Sequence, residues 1–265
     1  MIAPKKTLGQ NFLRDENIAR NIVKAVHPRA DDIVVEIGPG TGAITKYLLQ
    51  GAKTVLGVEL DKRAAAFLRD SYGDALTVLQ ANIVELDLHA VARDYSKPVR
   101  VVGNIPYHLT SEILFWLFEH RAAVHDATLM MQLEVAQRLI ARPRTKEYGI
   151  LSVATQFHTR PNVLFKVSRN AFSPKPKVDS ALVHLAFNKE LPPCDLSLFT
   201  ALVRATFGKR RKTLRNGLRY MGYSEEQLGA VRFALTRRPE ELSVEEFLEL
   251  TGQLEQFPVP MTAHA

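Results

Sequence analysis

A glycine-rich turn between an apolar run and a helical pattern is the feature that most constrains the fold of this 265-residue chain. The run Ile33–Ile37 predicts a short buried strand, and residues 43–49 predict the helix that follows the turn. Between them, Gly38 and Gly40 allow tight turning and close approach of the backbone to a ligand. This order of strand, glycine-rich turn and helix is typical of an α/β sheet that binds a cofactor where its strand ends.

Strand and helix patterns alternate beyond this turn. Further strands are predicted at 54–59, 76–80, 99–103 and 127–132, and further helices at 62–72, 111–118 and 135–140. This alternation indicates an α/β fold, with a parallel sheet covered by helices on both faces. Two later strand candidates, 156–165 and 180–187, lie closer together and predict an antiparallel edge.

The chain is expected to divide into two domains near residue 188. Residues 189–195 contain Pro192-Pro193 and are typical of a linker, and residues 198–250 show apolar side chains at helical spacing. We therefore predict an α/β domain over residues 1–188 and a small helical domain over residues 189–265.

Composition excludes several classes of protein. Hydrophobic residues make up 46% of the chain, which is enough for a sizeable core. No apolar run approaches the roughly 20 residues that span a bilayer, and no apolar signal core follows the N-terminus, so a cytoplasmic location is expected. The single cysteine, Cys194, excludes an intrachain disulfide and a cysteine-rich metal cluster, so no metal site is expected.

The positive charge is concentrated in one part of the chain. The net charge is +7, and residues 196–224 contain no acidic residue, whereas the chain turns acidic from Glu225 onward. Exposed like charges repel one another unless phosphate neutralises them, so this segment is predicted to bind an RNA or DNA backbone rather than to form a merely solvated helix. The candidate RNA-binding residues are Lys209, Arg210, Arg211, Lys212 and Arg215, together with Lys175 and Lys177 on a proline-rich loop.

The tetrapeptide Asn104-Ile105-Pro106-Tyr107, directly after a predicted strand, can hold a planar amine. The Asn104 side-chain oxygen and the Ile105 carbonyl can accept hydrogen bonds from an exocyclic amino group, and Tyr107 can stack on a nucleobase. Pro106 stiffens the turn before substrate arrives. Phe172 is a candidate for the opposite stacking face, although an ordinary core aromatic explains it equally well. The predicted catalytic residues are therefore Asn104, Tyr107 and Phe172.

The reaction expected at a site that holds a planar amine in this way is methyl transfer to the amino nitrogen of adenine. That nitrogen is a poor nucleophile because its lone pair is delocalised into the ring, so alignment against a methylsulfonium is the main catalytic contribution. The methylated nitrogen loses its proton readily, and no essential histidine is predicted. His108, beside the tetrapeptide, is interpreted as a bystander.

Two cofactors remain open on the residues alone. The pattern Gly38-x-Gly40-x-x-Ala43, with Glu59 about 20 residues further on, satisfies the NAD fingerprint. Glu36 favours S-adenosylmethionine, because an acid there attracts a cationic donor or orients the loop, whereas it would repel a pyrophosphate. Asn82 follows the third strand, where its side chain either contacts the adenine of the cofactor or belongs to a plain loop.

Six segments together resemble the ribosomal RNA adenine dimethyltransferases, and among them the small-subunit type, over nearly the full length. These segments are 10–13, 36–42, 59–61, 104–107, 172–180 and 209–216. The resemblance implies a Rossmann-like S-adenosylmethionine-dependent methyltransferase sheet ending in an antiparallel strand, followed by a small helical domain that binds RNA.

The resemblance also assigns roles to individual residues. Asn11 and Leu13 would border the S-adenosylmethionine site, Gly38 would approach the cofactor, and Glu59 would bind its ribose hydroxyls. Asn104 and Tyr107 would hold the target adenine, with Phe172 closing on it. The full set of expected cofactor-binding residues is Asn11, Leu13, Glu36, Gly38, Gly40, Glu59, Asn82 and Asn104. The family usually carries Asp at the position of Asn82, so this chain departs from the pattern there.

The resemblance further implies the substrate. The family dimethylates N6 of two adjacent adenosines near the 3′ end of small-subunit rRNA within a pre-ribosomal particle, and a monomeric enzyme is expected. The alternatives are a large-subunit rRNA methyltransferase, a DNA adenine methyltransferase, an assembly factor whose catalysis is secondary, and a transcription factor derived from this fold.

Overall fold

The computed structural model describes residues 2, 4–5, 9–187, 190–208 and 212–257. Its strands are β1 (Phe12–Leu13), β2 (Ile33–Ile37), β3 (Thr54–Val58), β4 (Thr77–Leu79), β5 (Val99–Asn104), β6 (Val124–Gln132), β7 (Arg160–Val167), β8 (Phe172–Ser173) and β9 (Ser180–Ala186). Its helices are α1 (Glu16–Val26), α2 (Thr45–Leu48), α3 (Lys62–Tyr72), α4 (Leu88–Asp94), α5 (Thr110–Glu119), α6 (Leu133–Leu139), α7 (Ile150–His158), α8 (Leu196–Phe207), α9 (Leu214–Tyr220), α10 (Glu225–Ala230) and α11 (Val244–Leu254).

The chain folds into two compact units. The described residues within Met1–Ala136 and Thr159–Lys189 form the first unit, and those within Gln137–His158 and Glu190–Ala265 form the second. The sequence had predicted that the first domain is continuous up to residue 188. Residues 137–158 depart from that prediction because they pack with the second unit.

The first unit contains a seven-stranded sheet in the order β4-β3-β2-β5-β6-β9-β7. Strands β2 to β6 pair in parallel, and β9 pairs antiparallel with both β6 and β7. Every residue of β2 is buried, as expected for a strand covered on both faces. The predicted parallel α/β sheet is confirmed, but the antiparallel strand lies inside the sheet and β7 forms the edge.

The strand predicted over 156–165 is wrong in its first part. Helix α7 continues to His158, and β7 begins only at Arg160. The sequence around Phe157 is rich in residues that favour strands, but Val153 and Phe157 lie one helical turn apart and both are buried in the core of the second unit. The ring of Phe157 stacks on that of Phe199, with centroids 4.4 Å apart. Tertiary packing therefore overrides local propensity here.

The local sequence of helix α1 determines where the helix begins and which face is buried in the first unit. Asp15 caps the helix by accepting hydrogen bonds from the backbone N–H groups of Asn17 and Ile18. Ala19, Ile22 and Val26 share one face and are buried, as 3.6-residue periodicity requires. Strand β1 precedes this helix and pairs with β8, with Leu13 opposite Phe172 and Phe12 opposite Ser173.

The second unit has its own apolar core, built from α7 to α11 and the segments between them. Its buried side chains include Phe157, Leu202, Leu214, Phe247 and Leu250. The buried hydroxyl of Tyr148 donates to the Leu242 carbonyl at 2.7 Å. Taken over both units, no helix in the part of the chain that the structure describes is long and apolar enough to cross a membrane.

Candidate functional site

The site begins where β2 and β5 end side by side. Ile37 and Gly103 are register partners at the last pair of these parallel strands. A Cβ added to Gly103 would lie 2.9 Å from the Ile37 side chain and carbonyl, so the close approach requires glycine. The strand order reverses at this point, with β3 on one side of β2 and β5 on the other. Ligands of open α/β sheets bind at such a switch point.

A cleft opens at these strand ends within the first unit. It is lined by residues at the ends of β2, β3 and β5 and by residues of the N-terminal segment. The cleft brings together seven predicted site residues, namely Asn11, Gly38, Gly40, Glu59, Asn82, Asn104 and Tyr107. The predicted bystander His108 also lines it and is exposed.

The glycine turn is left-handed at three positions, with φ of +60° at Gly38, +59° at Gly40 and +77° at Gly42. The three glycines serve different purposes. A Cβ at Gly40 would lie 2.9 Å from the Phe12 ring, and one at Gly42 would lie 2.4 Å from the Tyr72 hydroxyl. A Cβ at Gly38 would meet no atom within 4 Å. Gly38 therefore leaves open space at the cleft, as a residue that approaches a ligand must.

Glu59 ties the glycine turn to the end of β3. Its buried carboxylate accepts hydrogen bonds from the backbone N–H of Gly40 at 3.0 Å and from that of Asp61 at 2.8 Å. Burial raises the pKa of this carboxyl group, and the backbone hydrogen bonds oppose that rise. A carboxylate has about four lone-pair positions, so at least one remains after the backbone hydrogen bonds from Gly40, Leu60 and Asp61. Glu59 is therefore placed to accept further hydrogen bonds from a ligand in the cleft.

Glu36 is held away from the cleft. It is 2% exposed, and its carboxylate accepts a hydrogen bond of 2.6 Å from the Thr45 hydroxyl at the start of α2. Burial raises the pKa of Glu36 to about 7, and the nearby Glu59 acts in the same direction. Of its two predicted roles, contact with a cationic donor does not fit this position, whereas orientation of the turn and helix does.

The Asn104 amide is fixed by the backbone of the N-terminal segment. Its Nδ2 donates to the main-chain carbonyl of Asn11 at 2.9 Å. Since a carbonyl only accepts, the nitrogen must face it, and Oδ1 is the group that remains for a ligand. The next residue is fixed as well, because the Ile105 N–H donates to the Met130 carbonyl at 3.2 Å.

Tyr107 is anchored at its hydroxyl, which lies 2.7 Å from the Ser180 hydroxyl. Burial raises the pKa of the phenol, so the side chain stays neutral at physiological pH. With its hydroxyl held by the first residue of β9, the half-buried ring of Tyr107 lines the cleft. A neutral aromatic face of this kind suits a planar base.

The comparisons with known proteins agree with this geometry. The family model for ribosomal RNA adenine dimethylase matches residues 2–256. The chain is 46% identical over 249 residues to ribosomal RNA small subunit methyltransferase A of Chlorobium chlorochromatii, covering 94% of this chain and 93% of that protein. It is 41% identical over 264 residues to the protein of the same name in Leptothrix cholodnii, with 99% and 97% covered.

The chain belongs to the ribosomal RNA adenine dimethylase family. Two solved structures share its fold. A dimethyladenosine transferase from Plasmodium falciparum has a TM-score of 0.76 and 25% identity, covering 92% of this chain and 98% of that one. The 23S rRNA methyltransferase ErmE has a TM-score of 0.67 and 28% identity, covering 93% and 100%. The predicted family and Rossmann-like methyltransferase fold are confirmed.

Members of the ribosomal RNA adenine dimethylase family use S-adenosylmethionine as methyl donor, so the predicted cofactor is confirmed and this chain is a methyltransferase. The cleft fits that donor. Gly38 offers open space beside the buried acid Glu59, where a ribose with two hydroxyls can be bound. Asn82, half-buried in the segment after β4, lines the same cleft.

Two predicted site residues lie in the core instead of on the cleft wall. Leu13 and Phe172 pair in the β1–β8 ribbon, are 4% and 5% exposed, and belong to the apolar core of the first unit. The expected second stacking face at Phe172 is therefore not on the cleft surface in this structure. Phe12, the neighbour of Leu13, lines the cleft instead.

The basic residues are only partly described. Lys209, Arg210 and Arg211 lie outside the described residues, whereas Lys175, Lys177 and Lys212 are described and exposed. Arg215 is partly exposed and has a partner within the protein. Its guanidinium pairs with Glu225 of α10, which also binds Arg219 at 3.3 Å. The absence of acids within 196–224 did not reveal that Glu225 folds back onto these arginines.

Sequence reasoning gave no role to several residues that build the site. Asp61 accepts hydrogen bonds from Gln10 and Arg63 and forms an ion pair with Lys5. The hydrogen bond from Arg63 lowers the pKa of Asp61 well below its usual range. The only sequence signal was that Gln10 and Asp61 fall in family-like segments. In the described ranges, no group of three or more potential metal ligands occurs.

Proposed function

We propose that this protein transfers methyl groups from S-adenosylmethionine to N6 of two adjacent adenosines near the 3′ end of small-subunit rRNA, giving N6,N6-dimethyladenosines. The observation that carries the proposal is the hydrogen bond from Asn104 to the Asn11 carbonyl, because it leaves a side-chain oxygen for an amino group. The names of the curated relatives favour the small subunit over the large one as substrate.

The donor side of the cleft is assigned to five residues. Gly38 and Gly40 would let the backbone approach the cofactor, Glu59 would accept hydrogen bonds from the ribose hydroxyls, and Asn11 and Asn82 would border the amino-acid and adenine portions. S-adenosylmethionine supplies a methyl group on a positively charged sulfur. Asn82 offers an amide oxygen to the adenine amino group, without the added strength of a carboxylate.

The acceptor side is assigned to the turn after β5. Asn104 Oδ1 and the Ile105 carbonyl would accept the two hydrogens of the adenine amino group, which favours a pyramidal nitrogen and aims its lone pair. Tyr107 would stack on the base. Holding the nitrogen in line for attack contributes most of the rate enhancement, because a fixed geometry replaces a random encounter.

No general base is assigned. Methylation places a positive charge on the nitrogen, so its proton is acidic enough to leave to water. His108 is exposed at the rim of the cleft and keeps its bystander interpretation. Dimethylation of two adenosines requires four transfers, so the pocket must also accept a base that already carries one methyl group.

Binding of RNA phosphates is assigned to the exposed lysines Lys175, Lys177 and Lys212, and to Lys209, Arg210 and Arg211, which lie outside the described residues. Arg215 contributes less, since Glu225 already neutralises part of its charge. Replacement of Lys212 with Ala is expected to reduce the salt dependence of particle binding by about one phosphate contact, and Arg215→Ala by less. Equal slopes for both variants and the unchanged protein would remove this segment from the interface.

The substrate is proposed to be a pre-ribosomal particle in the cytoplasm, bound by one copy of the chain. The deciding experiment incubates the protein with labelled methyl donor and four matched substrates: immature small subunits, mature small subunits, large-subunit rRNA and duplex DNA. Mass spectrometry of the nucleosides should show N6,N6-dimethyladenosine, at two adjacent positions, in immature small subunits. Preferential labelling of large-subunit rRNA or of DNA would refute the proposal.

A further inference from the structure

The N-terminal strap, defined as residues 9–13, contacts both halves of the site. On the donor side, the Gln10 amide donates to Asp61 at 3.4 Å, and the Asp61 backbone N–H in turn donates to Glu59. The Phe12 ring lies against Gly40, so close that a Cβ there would be 2.9 Å away. On the acceptor side, the strap supplies the Asn11 carbonyl that binds Asn104. One short segment therefore touches the glycine turn and the predicted catalytic amide.

The contact with Asn104 determines the orientation of a group that has two ends. A carboxamide presents an oxygen that accepts and a nitrogen that donates, and a half-turn about its last bond exchanges them. In the exchanged orientation, Oδ1 would face the Asn11 carbonyl as a second acceptor, and the nitrogen would face the adenine amino group as a second donor. Both encounters would be repulsive. A donor-only or acceptor-only partner at this position decides between the two orientations.

The Asn11 carbonyl is itself firmly placed. The next two residues pair with β8, and the backbone N–H of Arg14 donates to the Ala171 carbonyl at 2.8 Å. The Asn11 side chain also donates to the Gly9 carbonyl at 3.3 Å. The carbonyl therefore acts as a fixed reference against which the Asn104 side chain is oriented.

We propose that the main-chain carbonyl of Asn11 is a positioning group, which selects the catalytic orientation of the Asn104 amide and couples it to the donor side through the N-terminal strap. The proposal rests on the proposed function for the identity of the amine, but the orienting contact lies within this chain. It predicts that Asn104 needs a donor on one side and an acceptor on the other.

The substitution Asn104→Asp separates this requirement from simple acceptance of a hydrogen bond. An ionised Asp has two acceptor oxygens and no donor, so it repels the Asn11 carbonyl. A protonated Asp donates to that carbonyl through its O–H and keeps one oxygen for the adenine amino group. An unperturbed Asp has a pKa of about 3.9, and burial beside a carbonyl raises it.

The decisive measurement is the ratio of kcat for Asn104→Asp to kcat for the unchanged enzyme between about pH 5.5 and 8.5. If the carbonyl selects the orientation, the ratio increases as pH falls, by up to about tenfold per pH unit, because only the protonated form is productive. If Asn104 serves only as an acceptor, the carboxylate is the better acceptor, and the ratio decreases as pH is lowered. A ratio that stays constant or decreases as pH is lowered overturns the proposal.

The other titratable groups are common to both proteins. Glu59, Tyr107 and His108 line the cleft, and Asp61 and Lys5 adjoin the strap. Their titration therefore cancels in the ratio, except where the new carboxyl group couples to them. The matched control Asn104→Ala has neither donor nor acceptor, so its residual activity should show the pH profile of the unchanged enzyme at a much lower level.

A second readout does not depend on catalysis. Hydrogen exchange of residues 9–13, corrected for intrinsic rates, should show lower protection in Asn104→Asp than in the unchanged protein at pH 8, with recovery at pH 6. Asn104→Ala should show lower protection at both pH values. Equal protection in all three proteins overturns the proposed positioning role, even if the Asp variant is inactive. Failure of the unchanged enzyme to methylate rRNA would instead refute the proposed function and leave the exchange result interpretable.

Discussion

Strands β2 and β5 end side by side, but the turns that follow them are fixed by different kinds of hydrogen-bonding groups. Buried carboxylates hold the donor turn, where Glu59 binds Gly40 and Glu36 binds Thr45. Neutral groups hold the acceptor turn, where Asn104 binds a backbone carbonyl and Tyr107 binds a serine hydroxyl. Of these two carboxylates only Glu59 lines the cleft, where its negative charge would favour the cationic donor of the family. The acceptor is an uncharged amine, for which direction matters more than charge.

The largest effect on methylation is expected when the oriented amide of Asn104 is removed. The substitution Asn104→Ala should lower kcat by about 10²–10³-fold, as loss of one preorganised hydrogen-bonding group does elsewhere. Because the carboxylates of the donor turn are untouched, the Kd for S-adenosylmethionine should change little. Single-turnover methylation and calorimetry measure the two effects separately. Equal losses in both would mean that the two turns do not divide the work in this way.

The buried Glu36 gives a test by pH. Its folded pKa of about 7 lies above the ordinary value of 4.5, so the folded state holds the extra proton and the stability from this group is lost as pH rises from 4.5 through 7. The substitution Glu36→Gln keeps an acceptor for Thr45 and removes the titration. The difference in free energy of unfolding, variant minus unchanged protein, should therefore increase by up to about 3 kcal/mol from pH 5 to pH 8. Urea unfolding at both pH values measures this, and a constant difference would contradict it.

Glu59 tests whether charge is needed on the donor side. The substitution Glu59→Gln places an amide nitrogen against one of the two N–H groups that the carboxylate now accepts. It also leaves one acceptor oxygen instead of two for the ribose hydroxyls, and the loss of one charge-assisted hydrogen bond to the donor, worth roughly 1.5–3 kcal/mol, predicts a Kd for S-adenosylmethionine about 10–100-fold higher. The rate at saturating donor should fall less. A variant with unchanged Kd but a much lower kcat would reverse the roles given to the two turns.

The smallest effect is expected at the hydroxyl of Tyr107. The substitution Tyr107→Phe keeps the ring and removes the bond to Ser180, which contributes about 1 kcal/mol. Methylation should therefore slow by less than about tenfold, whereas Tyr107→Ala also removes the stacking face and should slow it further. Single-turnover rates for the two variants, with Ser180→Ala as the matched control, give the comparison. Equal losses for Phe and Ala would show that the hydroxyl matters more than the ring.

The sequence predicted those parts of the site that are local in the chain. The strand, glycine turn and helix around Gly38 follow from residue types that only a few backbone conformations accept. The same is true of the tetrapeptide at Asn104, where Pro106 restricts its neighbour. Resemblance to a family then placed Asn11, Glu59 and Asn82 in the same cleft, which the structure bears out as a matter of position.

The parts that sequence missed depend on contacts between distant residues. Phe172 has the composition of a stacking residue, and only its pairing with Leu13 shows that it is buried. Arg215 belongs to a stretch without acids, and only the approach of α10 brings Glu225 to it. Glu36 could serve a ligand or the fold, and its burial beside Thr45 favours the fold. Periodicity and composition carry no information about such pairings.

The antiparallel direction of β9 has a further consequence. Each parallel strand ends at the edge where the cleft opens, so the turn that follows it there carries the chain away from that edge. Strand β9 runs the other way, and its first residue, Ser180, lies beside Gln132 at the last residue of β6. The proline-rich loop of Lys175 and Lys177 therefore arrives at the reactive edge instead of leaving it. A single reversed strand thus brings a loop into the edge where the cleft opens, and this loop ends at Ser180, whose hydroxyl lies 2.7 Å from that of Tyr107.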